Sequence, residues 1–170
     1  MDETAFKLTY REVNHQRCIF EKMILLRYGS CEQAQKLLLA EREAMSCNSQ
    51  EGQQRCQNFL NLSRQSARFS LQLTKADSPL PHSQELKVQV GSLFGLQQFI
   101  LHQDTTQTTL LNDDMLKFDP KQTQPINNIY RVISDALKQF DSIGNFPFSE
   151  MIKAIMHFKI PTRRRSKKKK

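Results

Sequence analysis

Five glycines and no tryptophan occur in the 170 residues of this chain. Neither of the glycine-rich phosphate loops, G-x-x-x-x-G-K-[ST] and G-x-G-x-x-G, is present, which argues against a nucleotide-binding fold of the glycine-loop type. No apolar run exceeds four residues, whereas a helix needs about 20 to cross a bilayer. The first residues, MDET, are acidic and lack the apolar segment of a secretory signal. We therefore expect a cytoplasmic protein that is not transmembrane.

The composition is typical of a globular protein. Hydrophobic residues make up 38% of the chain and charged residues 25%, which distinguishes it from a disordered sequence. A chain of this length suits one domain with a substantial core. We predict a single helical domain over residues 1–162, with a proline-rich connector at 77–82, followed by a tail at 163–170.

Positive charge is concentrated in that tail. The formal net charge is +8, and the tail supplies seven of these charges, leaving +1 on residues 1–162. The basic residues are Arg163, Arg164, Arg165, Lys167, Lys168, Lys169 and Lys170. Such a run of like charges is expected to be disordered, and it could bind the phosphates of nucleic acid or an anionic lipid surface. A solvated tail that only improves solubility is the alternative.

Apolar spacing predicts an all-α fold. In the first half, residues recur at the i, i+3, i+4, i+7 spacing of an amphipathic helix, and these segments are 10–28, 31–46 and 50–74. Gly29 lies where helices commonly end, and Ser30 with Gln33 forms a capping box that would begin the next helix at Cys31. Because short connections make consecutive helices antiparallel neighbours, residues 10–74 are predicted as a three-helix up-down-up unit.

Two or three further packed helices are predicted over residues 83–160. The first covers about 83–102, the second begins near Pro125 and runs to Phe140, and a last one lies around 148–156. Gly91 and Gly95 are four residues apart on one face of the first of these helices, where they would let another helix approach closely. Residues 103–125 are predicted as a loop.

The four cysteines all lie within one 39-residue stretch, as Cys18, Cys31, Cys47 and Cys56. Their spacings of 12, 15 and 8 intervening residues match no zinc knuckle, ferredoxin run or thioredoxin motif. Any prediction of a shared site therefore depends on where the fold places them.

Folding the predicted helices back on one another, at ~1.5 Å per residue, puts one histidine and three cysteines at the same level of the bundle. This set is His15, Cys18, Cys47 and Cys56. Three thiolates and an imidazole suit zinc or an iron–sulfur cluster. Cys31 would lie about 20 Å away, at the other end of the second helix. It could join a four-cysteine cluster only if that helix were broken.

Two other uses of the cysteines stay open. Free cysteine is often buried and packs as a small hydrophobic residue. A disulfide between Cys47 and Cys56 is the second possibility, although a reducing cytoplasm disfavours it.

No catalytic constellation is found in the sequence, because His82, His102 and His157 are scattered and no Ser-His-Asp order or nucleophile elbow is present. We therefore predict a non-enzymatic helical protein with a zinc or iron–sulfur centre in its N-terminal helices, acting as a protein-interaction or regulatory module for an unidentified protein partner. One alternative is an accessory protein that docks on nucleic acid or a ribonucleoprotein through the tail. A redox or electron-transfer protein is a further alternative if a cluster is present.

Overall fold

A computed structural model describes residues 2–72, 79–103, 114 and 126–160. In chain order these residues form α1 (Glu3–Val13), α2 (Glu21–Leu25), β1 (Ala34–Leu39), β2 (Arg42–Cys47), α3 (Gln50–Ala67), α4 (His82–Gln103), α5 (Ile129–Phe140) and α6 (Phe148–His157). A 3-10 turn, Ile143–Asn145, separates the last two helices. The basic tail and nearly all of the predicted 103–125 loop lie outside the described residues.

The all-α prediction is wrong, because residues 31–46 do not form a helix. They contain an antiparallel β-hairpin in which Ala34 pairs with Cys47. Ala40, in the two-residue loop, has a φ of 56°, the positive value that the first central position of a type II′ turn requires. The Ala, Leu, Glu, Gln and Lys residues of this segment favour a helix intrinsically. Tertiary pairing therefore overrides local propensity here.

The first helix of the predicted three-helix unit is also wrong. Helix α1 ends at Val13, and α2 is only five residues long. The chain between them runs along the outer edge of β2, where Arg17 forms an antiparallel bridge with Ser46. Two backbone hydrogen bonds extend this pairing, from the Cys18 N–H to the Met45 carbonyl (3.0 Å) and from the Cys47 N–H to the Gln16 carbonyl (2.7 Å). The N-terminal part is thus a two-stranded hairpin with a short third segment paired to the outer edge of β2, and helices flank it.

Helices α4, α5 and α6 agree with the sequence pattern, whereas α3 begins where predicted but ends at Ala67 and not at residue 74. Ser49 caps α3, its Oγ accepting the Gly52 N–H at 2.9 Å, as Ser at an N-cap commonly does. Helix α4 lies at the centre, with α2, α3, α5 and α6 packed around it. Its closest neighbour is α6, which approaches the Gly91 and Gly95 face as the sequence predicts.

We expect Gly91→Ala to destabilise the protein, although alanine ordinarily stabilises a helix interior by ~1 kcal/mol relative to glycine. A methyl group at Gly91 would lie 2.5 Å from the Cα of Ile155 and 2.8 Å from its backbone N. Because backbone atoms must move to admit it, unfolding should become easier by about 1–3 kcal/mol, measured by urea denaturation. Gly144→Ala is the control, since its nearest neighbour would be 3.7 Å away. Equal midpoints for the two variants would contradict this packing.

Candidate four-cysteine centre

The pairing of the Arg17 segment with β2 brings Cys18 and Cys47 close together. Since Arg17 lies opposite Ser46, Cys18 lies opposite Met45, and Cys47 is two residues further along the same strand. Residues related in this way are diagonal neighbours on one face of the sheet, with Cα atoms roughly 7–8 Å apart. The Cys47 thiol also donates to the Ser49 carbonyl (3.3 Å), at the beginning of α3.

Cys31 lies beside this pair, not 20 Å from it. Its carbonyl accepts the Ala34 N–H at 3.1 Å, which closes a turn immediately before β1. Ala34 is the residue that pairs with Cys47, so the turn holds Cys31 at the base of the hairpin. The predicted separation of about 20 Å between Cys31 and the other cysteines does not apply, because it was calculated along a helix that does not form.

Backbone N–H groups lie near two of the sulfur atoms and lower their pKa, although burial outweighs them. Near the Cys18 sulfur this group is the N–H of Phe20. Near the Cys31 sulfur they are the N–H groups of Gln33, Tyr130 and Ala34. Tyr130 lies in the first turn of α5, where backbone N–H groups lack helical partners and the helix dipole is positive. Such groups favour the thiolate, the form of cysteine that binds metals, but the net pKa of both thiols stays raised by burial.

Cys56, in the second turn of α3, completes the group. Burial raises the pKa of Cys56 well above its usual range, and electrostatic interaction with the other three thiols raises it further. Burial likewise raises the pKa of Cys18 to about 12, with contributions from Cys31 and Cys47. Burial also raises the pKa of Cys31, with a contribution from Cys47. All four thiols are free, and each lies within electrostatic reach of the others.

His15, the predicted fourth ligand, is exposed and lines a separate groove with Tyr10 and Asn14. The four cysteines thus lie on backbone segments that adjoin at the base of the hairpin, whereas His15 lines a different groove. Within the described ranges, no three His, Cys, Asp or Glu side chains are arranged to hold a metal ion.

A buried carboxylate positions the Cys18 segment, and sequence reasoning missed it. Glu21 is 6% exposed, and it accepts hydrogen bonds from the Tyr10 hydroxyl (2.9 and 3.1 Å), the Arg17 Nε (2.8 Å) and the Met45 N–H (2.9 Å). Burial, and then the bond to Glu21, raise the pKa of Tyr10. The only sequence signal is Arg17 four residues before Glu21, a spacing that usually marks a surface pair.

Glu21→Leu is expected to lower the free energy of unfolding by about 2–4 kcal/mol, since each buried donor left without a partner costs about 1–3 kcal/mol. The orphaned donors are the Met45 N–H and the Tyr10 hydroxyl. Glu43→Leu, which removes an exposed ion pair with Lys36, should change stability by less than about 1 kcal/mol. Chemical denaturation of both variants measures the difference, and equal losses would contradict the role assigned to Glu21.

No protein-family model matches this chain, and no significant match to it is found among curated proteins or among solved structures. None of the described helices combines the length and apolarity needed to cross a bilayer. What the protein does is therefore inferred from its own residues.

Proposed function

We propose that Cys18, Cys31, Cys47 and Cys56 bind a metal centre, either a zinc ion or an iron–sulfur cluster. The centre would fix the β-hairpin to the helical domain, and the protein would act as a non-enzymatic interaction or regulatory module. One observation supports the proposal: four separate backbone segments, each carrying one cysteine, lie next to one another at the base of the hairpin. Cys18 lies on the segment paired with β2, Cys31 in the turn before β1, Cys47 at the end of β2 and Cys56 on α3.

The backbone N–H groups near the Cys18 and Cys31 sulfur atoms support a role as ligands over a role in packing. A cysteine that only fills space needs no hydrogen-bond donors, whereas metal thiolates are commonly oriented and tuned by outer contacts of this kind. The four segments also lack any C-x-x-C pair, so the fold itself must assemble the ligands. Since no three described ligand side chains converge on one point, binding would require side-chain rotation as well as loss of the thiol protons.

A centre at this place would stabilise an element that is weak alone. An isolated two-stranded hairpin is marginally stable in water, and this one is built from residues that favour helices. Fixing its base to α3 and to the Cys18 segment would hold it in one position. Exposed apolar side chains on the same part of the molecule, Leu8, Val13 and Leu38, offer a contact surface for a protein partner.

Metal and acid-labile sulfide analysis of anaerobically purified protein, with an ultraviolet–visible spectrum, tests the proposal. One zinc per chain without sulfide, or iron with matching sulfide and visible absorption, would support it. If the protein holds neither, and neither is taken up on reconstitution with Zn²⁺ or with iron and sulfide, the thiols are packing residues and the proposal is wrong.

The tail supports a second candidate function, binding to nucleic acid. Residues 163–170 carry seven positive charges, enough to neutralise several phosphates. Deleting them should leave the melting temperature unchanged but abolish binding to duplex DNA. In the full chain, log affinity should fall with log salt by about 0.9 per phosphate contact. Binding that survives the deletion with the same salt dependence would place it on the folded domain.

A further inference from the structure

A polar cavity of 540 Å³ lies between the segment 17–22, helix α3 and the beginning of α4. Cys18 contributes to its wall, but the charged and amide side chains of the cavity do not depend on a metal. The side chains that matter are three cations, two carboxylates and one amide: Arg17, Lys22, Arg64, Glu21, Glu85 and Gln89.

Both carboxylates in the wall are already paired. Arg17 binds Glu21 through Nε at 2.8 Å. Arg64 binds Glu85, which is 5% exposed, through Nη2 at 2.6 Å and Nε at 3.1 Å. Lys22 makes no ion pair or hydrogen bond with any described residue. The cavity therefore keeps one uncompensated positive charge.

Arg17 lines the same cavity, and its guanidinium also lies over the Tyr10 ring, 5.4 Å from the ring centroid. Its Nε is occupied by Glu21, whereas in the described part of the chain its Nη groups donate to no protein acceptor. A guanidinium edge together with an ammonium group is a common arrangement for binding a carboxylate or a phosphate.

The amide oxygen of Gln89 lacks a hydrogen-bond donor. Gln89 is 2% exposed, and its Nε2 donates to Glu85 at 2.7 Å, but its Oε1 has no hydrogen-bond partner. A buried carbonyl oxygen without a donor is destabilising, and such atoms are rare in folded proteins. A ligand that brought an N–H group to Gln89 would satisfy it.

We propose that this cavity binds a small organic anion that also carries an N–H donor. Lys22 and Arg17 hold the anionic group, and the amide oxygen of Gln89 accepts from the donor. Two classes of compound share this chemistry: peptides or amino-acid derivatives, with a carboxylate and an amide or ammonium group, and nucleoside monophosphates, with a phosphate and an exocyclic amine.

Calorimetric titration with glycylglycine, AMP and inorganic phosphate tests the site on the full-length protein. We expect saturable binding of glycylglycine or AMP, and weaker binding of phosphate, which carries no N–H donor. Lys22→Met should weaken the organic ligand at least about tenfold, as loss of a charged hydrogen bond does. Gln89→Met should weaken it by a similar factor without changing the binding of phosphate. Lys36→Met, on the hairpin and outside the cavity, should change nothing.

The two probes separate the sources of the ligand. Binding of AMP alone supports the phosphate class, and binding of glycylglycine alone supports the carboxylate class. The proposal is overturned if neither probe binds, or if bound probes are unaffected by Lys22→Met. Lys22 is partly exposed, so this variant remains informative even if Gln89→Met fails to fold.

Discussion

Serine at any one of the four cysteine positions is expected to abolish binding of the proposed metal and to lower thermal stability together, with Cys31→Ser as damaging as Cys18→Ser. The free energy of metal binding contributes directly to folding, and reaches about 10–16 kcal/mol for zinc in small zinc-finger peptides. Losing one ligand should therefore cost several kcal/mol. At roughly 2–4 °C per kcal/mol for a chain of this size, the melting temperature should fall by about 10 °C or more.

Two controls separate ligation from packing. After a chelator has removed the metal from wild type, the serine variants should melt at nearly the same temperature as that stripped protein, because a ligand has no effect without its ion. His15→Ala should leave metal content and stability unchanged, since His15 is exposed and lines a different groove. If Cys31→Ser keeps full metal content while the other three variants lose it, Cys31 is not a ligand. If His15→Ala also loses metal, the histidine set predicted from the sequence is the correct one.

The sequence predicted the helices whose apolar pattern is strong and whose ends are marked. Helices α4 and α6 agree with their predicted bounds, and α3 begins at the predicted residue 50 but ends at Ala67 instead of residue 74. The Gly91 and Gly95 face also packs closely on α6. In these segments local propensity, periodicity and burial favour the same structure, so a single sequence was sufficient.

The hairpin could not be predicted in the same way, because the contacts that favour it over a helix come from residues distant in sequence. Residues 31–46 have helix-forming side chains and a helix-like apolar pattern. Their strand pairing depends on the Cys18 segment and on the buried carboxylate of Glu21, which binds the Met45 N–H. The prediction of the cysteine site was affected by the same error. It placed the cysteines by their position along helices, and it therefore separated Cys31 from the other three. Only the clustering of the cysteines in sequence pointed to all four.

Phe59→Ala is expected to cost about 3–5 kcal/mol, the range found for removing a fully buried phenylalanine. Phe59 is 0% exposed, and its ring centroid lies 6.3 Å from that of Phe20 and 5.9 Å from that of Phe146. It therefore connects α3 to the segment that carries Cys18 and to the turn before α6. Leu37→Ala should cost less, because Leu37 is only partly buried on β1.

Phe69→Ala is the matched control for this substitution, since Phe69 follows the same helix but is 94% exposed. Its loss should change the free energy of unfolding by less than about 0.5 kcal/mol. Because Phe59 packs on Phe20, two residues after Cys18, a cavity at Phe59 should also weaken retention of the proposed metal, whereas Phe69→Ala should not. Guanidinium unfolding and metal analysis of the two variants measure both effects. Equal stability of the two variants would mean that α3 does not bury this face, and that Cys56, on the same helix, is not held near the other three thiols.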